Sequence, residues 1–337
     1  MGKENNVILS YLEDNERFAD VFNCFYFGGR EVIKPQELIE ASEVYVAETA
    51  KKEGQRIRDM IKHLKSGACL KILAIEAQND ISYIMPWRIM EYDCLEYRKQ
   101  IRQVQKANSL KESGGSGSIY KNAGERLGKF RRQDKIAPVY TLCLYHGVER
   151  WDGPHCLKDM MDFGLESTGT SGGDWENYFA DYPMRLICVN DLADYTGFKT
   201  SLKTVFALLP FRRNREGLKK MLEENPEYQK MDEETARTVS VLMGIKGFTE
   251  KQEQYKEEEG YNMCQAIREM MDESRMEGRI EGRMEGQSKE QENGILILMQ
   301  LLSKDYGIKE KEIADKLQKY YSLSEEDAWD ALRAKKI

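Results

Sequence analysis

Zinc-type metal clusters, structural disulfides and membrane spans all lack their raw material in this chain. Only three histidines occur in 337 residues, at 63, 146 and 155, and none stands at a ligand spacing from another. A zinc site is therefore not expected. The seven cysteines (24, 69, 94, 143, 156, 188 and 264) form no Cys-x-x-Cys pair, are odd in number and mostly sit among apolar neighbours. Such residues read as free buried thiols in a reducing compartment. No run of 18 apolar residues exists, which excludes a membrane-spanning helix. No apolar stretch follows Met1–Asn6, and position 6 is neither Ser nor Thr, so neither a secretory leader nor a myristoyl anchor is expected. These absences point to the cytoplasm and to no membrane partner.

What is present is charge and enough apolar residue for a core: 32% of residues are charged and 41% hydrophobic. The net charge of −7 argues against nucleic-acid binding by overall field. Its distribution is uneven, because residues 98–135 hold 11 Lys or Arg against Glu112, Glu125 and Asp134. That segment reads either as a phosphate footprint or as a solvated basic helix and loop.

Apolar periodicity predicts a helix over 8–24, a loop through Ile33–Leu38 into a short second helix, and a hairpin of strands 56–64 and 70–78 around Lys65–Ala68. A helix follows over Trp87–Ala107, and Ser113–Ser118 reads as a flexible loop. Strands are expected at Pro138–Tyr145 and Arg185–Val189, then helices over 200–224 (interrupted at Pro210) and 232–247. Strands separated by helices imply an α/β fold with a mixed sheet. Three regions are expected: a domain over 1–248, a charged segment over 249–294, and a small helical module over 295–337. Within the middle one, Met276–Gln287 repeats every four residues, giving an apolar stripe (Met276, Ile280, Met284) and a glycine stripe (Gly278, Gly282, Gly286). Like charges recur at i,i+4 and each glycine costs about 1 kcal/mol relative to alanine, so this helix is marginal alone. It is either paired with a second helix, which would make the protein a homo-oligomer through its tail, or a charge-mixed tether.

The chemistry concentrates on the hairpin. Along Lys71–Gln78 the side chains alternate, so Glu76 and Gln78 share a face. A turn centred near Gly67–Ala68 pairs residues whose numbers total about 135, which sets Asp59 beside Glu76; a slip by one would put them on opposite faces. Two adjacent carboxylates favour a hard divalent cation, and Mg²⁺ on one or two carboxylates is the common arrangement in phosphate chemistry. Gln78 is then positioned to orient a water. Ordinary ion pairing is the competing account: Asp59 with neighbouring arginines, Glu76 with Arg88 or Lys62. Lys62 alternates away from Asp59 and reads as structural. Spacing alone does not decide between the two.

Several runs resemble one family in order: Asn15–Asn23, Arg58–Lys62, Ile75–Asp80, Met85–Tyr92, the strand Pro138–Tyr145 with Trp151–Pro154, and the Glu-Gly-Arg repeats. They are similar to the Rpn family of recombination-promoting nucleases, also labelled YhgA-like transposases, over residues 10 to about 290. The resemblance implies a PD-(D/E)XK, restriction-endonuclease-like mixed sheet flanked by helices with a helical C-terminal tail. It further implies Mg²⁺-dependent DNA endonuclease activity, linked to recombination or mobile elements. On this resemblance Asp59 and Glu76 bind the metal, Glu16 (or Asp20 one turn later) supports it, and Gln78 stands where the wider superfamily has lysine. That departure leaves a weak or inactive enzyme open. Arg88, with Tyr92 and Tyr97 on the same helix, and Arg131 and Arg132 in the basic segment are the DNA contacts weighed beside it. The rival expectation is a DNA-binding or scaffold protein with a relic site.

Overall fold

The computed structural model describes residues 2–40, 44–45, 56–57, 59–66, 69–115, 117–163, 173–305 and 307–333. They fall into two compact units, Met1–Ile267 and Arg268–Ile337. The first opens with two helices, α1 (Lys3–Leu12) and α2 (Asn15–Phe27). A single predicted helix becomes two because Asp14 caps α2, its carboxylate accepting the Arg17 N–H. Gly28, at φ 60°, ends α2 in the left-handed conformation.

The strands β1 (Leu38–Glu40), β2 (Val44–Tyr45), β3 (Arg56–Ile57), β4 (Met60–Ser66) and β5 (Cys69–Gln78) follow. Leu38–Glu40 is a strand where the sequence suggested a helix; Pro35–Glu37 supplies only a single 3₁₀ turn before the chain pairs with β4. The 30-residue helix α3 (Met85–Gly114) and the short α4 (Ala123–Gly128) lead to β6 (Val139–Tyr145), α5 (Gly173–Tyr178) and β7 (Arg185–Cys188). The turn Gly67–Ala68 lies outside the described residues, as does 164–172. Helix α3 runs to Gly114, into the stretch whose composition reads as a loop.

The main sheet has the order β1-β4-β5-β6-β7. Its β1, β4 and β5 are antiparallel, while β5, β6 and β7 are parallel, so α3 is the crossover between β5 and β6. The protein is thus mixed α/β. Alternation along each strand divides the sheet into two faces. One carries Ile61, Ile72, Ala74, Cys143 and Tyr145, which pack with Ile89 and Leu95 of α3. The other carries Lys62, Leu64, Leu73 and Tyr140 and meets α1 and α2, with Tyr26 set edge-on to Tyr140.

Helices α6 (Leu202–Leu208), α7 (Arg215–Glu224), α8 (Glu233–Leu242) and α9 (Phe248–Lys251) complete this unit with the small hairpin β8 (Lys256–Glu257) and β9 (Gly260–Tyr261). Pro210 interrupts the helical run, as expected of a residue that cannot donate in a helix interior. The unit extends past Phe248 to Ile267, because Tyr255, Tyr261, Met263, Cys264 and Ile267 are all buried. Among the described cysteines only Cys143 and Cys264 are buried, and Cys94 is exposed; all six are free. No helix among the described residues is long and apolar enough to cross a membrane.

Helix α10 (Met263–Gln300) carries the repeat, followed by α11 (Glu310–Tyr321) and α12 (Glu325–Arg333). In the second unit Leu302, Ile313, Ala314, Leu317 and Ala328 form the core, with Leu298, Ile308, Trp329 and Leu332 packed around it. A π-helical turn at Leu301–Asp305 ends α10, with Leu302 buried and Leu301 exposed. Met276, Ile280 and Met284 are each more than half exposed, and the space above Gly278, Gly282 and Gly286 is open.

Candidate active site on the hairpin

The β4–β5 register matches the sequence arithmetic: Met60 pairs with Ile75, and the ladder runs without a bulge to Ser66 opposite Cys69. Continuing it by one residue sets Asp59 opposite Glu76. Both are buried, Glu76 completely. The Asp59 carboxylate accepts the Ala77 N–H at 2.9 Å, which holds it against β5 one peptide from Glu76. Arg88, Tyr92 and Cys143 each feel the charge of both acids. The pair therefore lies on the sheet face that α3 covers. Gln78, also buried, falls on that face by alternation.

Arg88 stands near the start of α3, four residues into a helix that begins directly after the turn from β5. Its Nη2 is 3.6 Å from Glu76 Oε2, with the arginine side chain 26% exposed and the glutamate 0%. At that distance the contact is an ion pair rather than a short hydrogen bond. The guanidinium also lies 5.9 Å from the Tyr92 ring centre and hydrogen-bonds that residue. Burial opposes the charge on Arg88, but Glu76, then Tyr92 and Asp59, outweigh it and hold the guanidinium above its ordinary value. Tyr92 is pushed up by burial and by Glu76, and burial pushes the Cys143 thiol far up. Both are thus neutral donors at physiological pH. Two carboxylates and the Arg88 guanidinium thus share this pocket, and the acids offer it oxygen atoms alone.

Lys62 does not reach Glu76. It is 1% exposed on the other face, and its ammonium donates to the Glu13 carbonyl and, at 2.7 Å, to Asn15 Oδ1, with the Phe18 ring 5.3 Å away.

The helix acid is where expectation and structure part. Glu16 is exposed in the first turn of α2, next to the Asn15 that Lys62 reaches from the opposite face. Asp20 is buried but occupied, accepting the Lys199 and Thr200 N–H groups at 2.9 and 2.8 Å and the Thr200 hydroxyl at 2.7 Å. It fastens α2 to the chain entering α6. Among the described residues no three His, Cys, Asp or Glu side chains form a group that would hold a metal ion. Glu16 thus does not complete a three-acid cluster with Asp59 and Glu76, and two carboxylates are what the hairpin presents.

The basic segment is less available than its composition suggests. Arg131 donates through Nε and Nη2 to Asp134, at 3.0 and 2.7 Å, while Asp134 also accepts from Asn108 at 2.7 Å. The pair closes the loop after α4 on itself. Arg132 is exposed, and its backbone N–H donates to Glu125 at 3.0 Å. Tyr97 uses its hydroxyl to accept the Val139 N–H at 3.2 Å, so it clips α3 to β6. Sequence reading weighed Arg88 as counter-ion to Glu76 but did not single out Cys143, a small apolar residue beneath the acids whose only signal was its place in a buried strand. No family model matches this chain, and neither a curated protein nor a solved structure matches it.

Proposed function

We propose that this protein is a divalent-metal-dependent DNA endonuclease whose centre is Asp59 and Glu76, within the Rpn-like, restriction-endonuclease-like reading given above. The observation that carries the proposal is the buried acid pair itself, two carboxylates on neighbouring strands of one sheet face beside the Arg88 guanidinium. The reading is also supported by the order of elements, a hairpin followed by a helical crossover into a parallel strand. Oxygen-only ligands fit Mg²⁺ better than a thiophilic metal. Asp59 and Glu76 would hold it; bound there, the ion polarises a phosphodiester and lowers the pKa of a coordinated water.

The protein's own groups do the rest. Gln78 accepts or donates a hydrogen bond to orient the attacking water, but adds no positive charge as a lysine would. Arg88 draws the anionic phosphate toward the acids and limits their mutual repulsion. Arg132, exposed and basic, is the remaining backbone contact in the 98–135 segment, with Arg131 committed to Asp134.

The rival is a non-catalytic DNA-binding scaffold, favoured by the Glu76–Arg88 ion pair, which alone would satisfy much of the glutamate. Supercoiled plasmid separates them. With Mg²⁺ the wild type is expected to nick it, EDTA to stop the reaction, and Asp59→Ala to slow it about 10³-fold, the scale of losing a principal electrostatic contributor. Equal nicking by wild type and Asp59→Ala, or indifference to EDTA, sinks the enzyme reading.

For the tail, a second copy of α10 is the proposed partner. Its exposed apolar and glycine stripes allow close approach, and its Glu and Arg rows offer charges for pairing across. Truncation near residue 250 removes a segment of the first unit, so the cleaner test ends the chain after Ile267. Sedimentation should show that this truncation converts an oligomer to a monomer; a monomeric full-length chain refutes the partner.

A further inference from the structure

A cleft of about 560 Å³ opens on the same sheet face as the acid pair, between the far end of the hairpin and α3. Ile72 lines it, four residues along β5 from Glu76 and so roughly 13 Å away. Three features make it more than a gap between elements. First, Glu96 is 2% exposed on α3, and its Oε2 makes no hydrogen bond within the protein; Lys99, at 3.5 Å, is its ion-pair neighbour. Second, the Nε2 of His63, on β4, is likewise buried and makes no hydrogen bond. A buried polar atom left this way costs about 1–3 kcal/mol, so two around one cavity point to a ligand that completes them.

Third, the cleft is built rigidly and is basic. Gln100 spans its floor, donating to the Ala137 carbonyl at 3.2 Å and accepting the Ala137 N–H at 2.7 Å, while Tyr97 accepts from Val139. The wall is apolar through Ile72, Val104, Ile136 and Pro138, and Lys99 and Lys135 stand at its edge. Against those two ammonium groups stands one carboxylate. Burial pushes His63 below the ordinary histidine range in spite of Glu96, so the imidazole is neutral and offers Nε2 as donor or acceptor.

The ligand must therefore carry an anionic group for the lysines, a flat body for the apolar wall and a hydrogen-bond donor for Glu96. We infer that the cleft binds a nucleoside monophosphate, with phosphate at Lys99 and Lys135, base on the apolar wall and a base or sugar donor on Glu96. The volume suits a molecule of that size. This site is separate from Asp59 and Glu76 and does not depend on their being catalytic.

Calorimetric titration of the full chain with purine and pyrimidine nucleoside 5′-monophosphates, the matching nucleosides and inorganic phosphate tests the inference. At least one nucleotide should bind saturably, with its nucleoside and phosphate each at least tenfold weaker. Lys135→Glu, on an exposed residue, and Glu96→Gln should each weaken it about tenfold, the scale of one charged hydrogen bond. Val104→Trp, which fills the cleft, should abolish it. Circular dichroism of each variant checks the fold, and the surface change Lys135→Glu keeps the test valid if Glu96→Gln unfolds. Absence of nucleotide binding at millimolar concentration overturns the inference, as does phosphate binding as tightly as the nucleotide, or affinity unchanged by both Lys135→Glu and Val104→Trp.

Discussion

Two neighbouring strands each bury a full charge, and they do so in opposite ways. Lys62 of β4 sits on the face against α1 and α2, where the Glu13 carbonyl and Asn15 take its protons. Glu76 of β5 sits on the face against α3, where Arg88 meets it at 3.6 Å beside a second carboxylate, Asp59. The lysine meets a backbone carbonyl and a side-chain amide fixed by the α1–α2 turn, so its charge is used up locally. The glutamate's partner is a long, partly exposed side chain able to swing away, and the acid beside it adds to the local negative charge. A buried charge closed in by local hydrogen bonds is a structural device. One held by a displaceable cation next to a like charge is where a metal and a phosphate can enter.

The comparison breaks most sharply at Arg88. Removing one partner of a buried pair costs several kcal/mol, and the partial exposure of Arg88 discounts that. Arg88→Ala is thus expected to lower unfolding stability by about 2–3 kcal/mol, read by urea denaturation, and a following Glu76→Gln should restore most of it. If Arg88→Ala alone is neutral, the ion pair is incidental.

A third buried group, His146, is kept neutral instead. Burial, and next the Arg212 charge, lower its pKa to about 4, and Nε2 lies 2.8 Å from Asn5 Oδ1. Because the folded pKa is below the unfolded value, stability is complete above about pH 6.5 and falls as pH drops toward 4, by on the order of 3 kcal/mol. Denaturation midpoints measured from pH 7 to 4 should show this slope, and His146→Gln should flatten it. An unchanged slope in that variant assigns the acid sensitivity elsewhere.

The smallest effect belongs to Lys62. Lys62→Met keeps the volume and leaves Glu13 and Asn15 near water, so a loss of only about 1–2 kcal/mol is expected, with nicking per folded molecule unaltered. A nicking defect in a well-folded Lys62→Met would mean that both faces serve the chemistry.

The hairpin register was legible because alternation and turn position constrain it jointly: a slip by one would set Asp59 and Glu76 on opposite faces. The strand at Pro138 was legible from its unbroken apolar run. The helix acid was not. Glu16 and Asp20 share a helical face by spacing, yet nothing local says that Lys199 and Thr200, some 180 residues later, will claim Asp20. Composition likewise made Arg131 a phosphate contact, whereas Asp134 three residues on chelates it. Leu38–Glu40 went to a strand because pairing with β4 outweighs the local preference after Pro35. The nucleotide-sized cleft was hidden because His63 and Glu96 meet only once α3 crosses the sheet. A trace was visible: Asp93 and Glu96 interrupt the apolar stripe of α3, and both are buried.

The central claim is that Glu76 is buried for chemistry and not for packing. It is tested most directly by measuring, on one preparation of Glu76→Gln, both the unfolding free energy and the Mg²⁺-dependent nicking rate of supercoiled plasmid. The account predicts a protein that loses no more than about 1–2 kcal/mol, since the partly exposed Arg88 can turn to water once the charge opposite it is gone, and whose nicking falls to the no-metal background. A Glu76→Gln protein that nicks plasmid at the wild-type rate contradicts it.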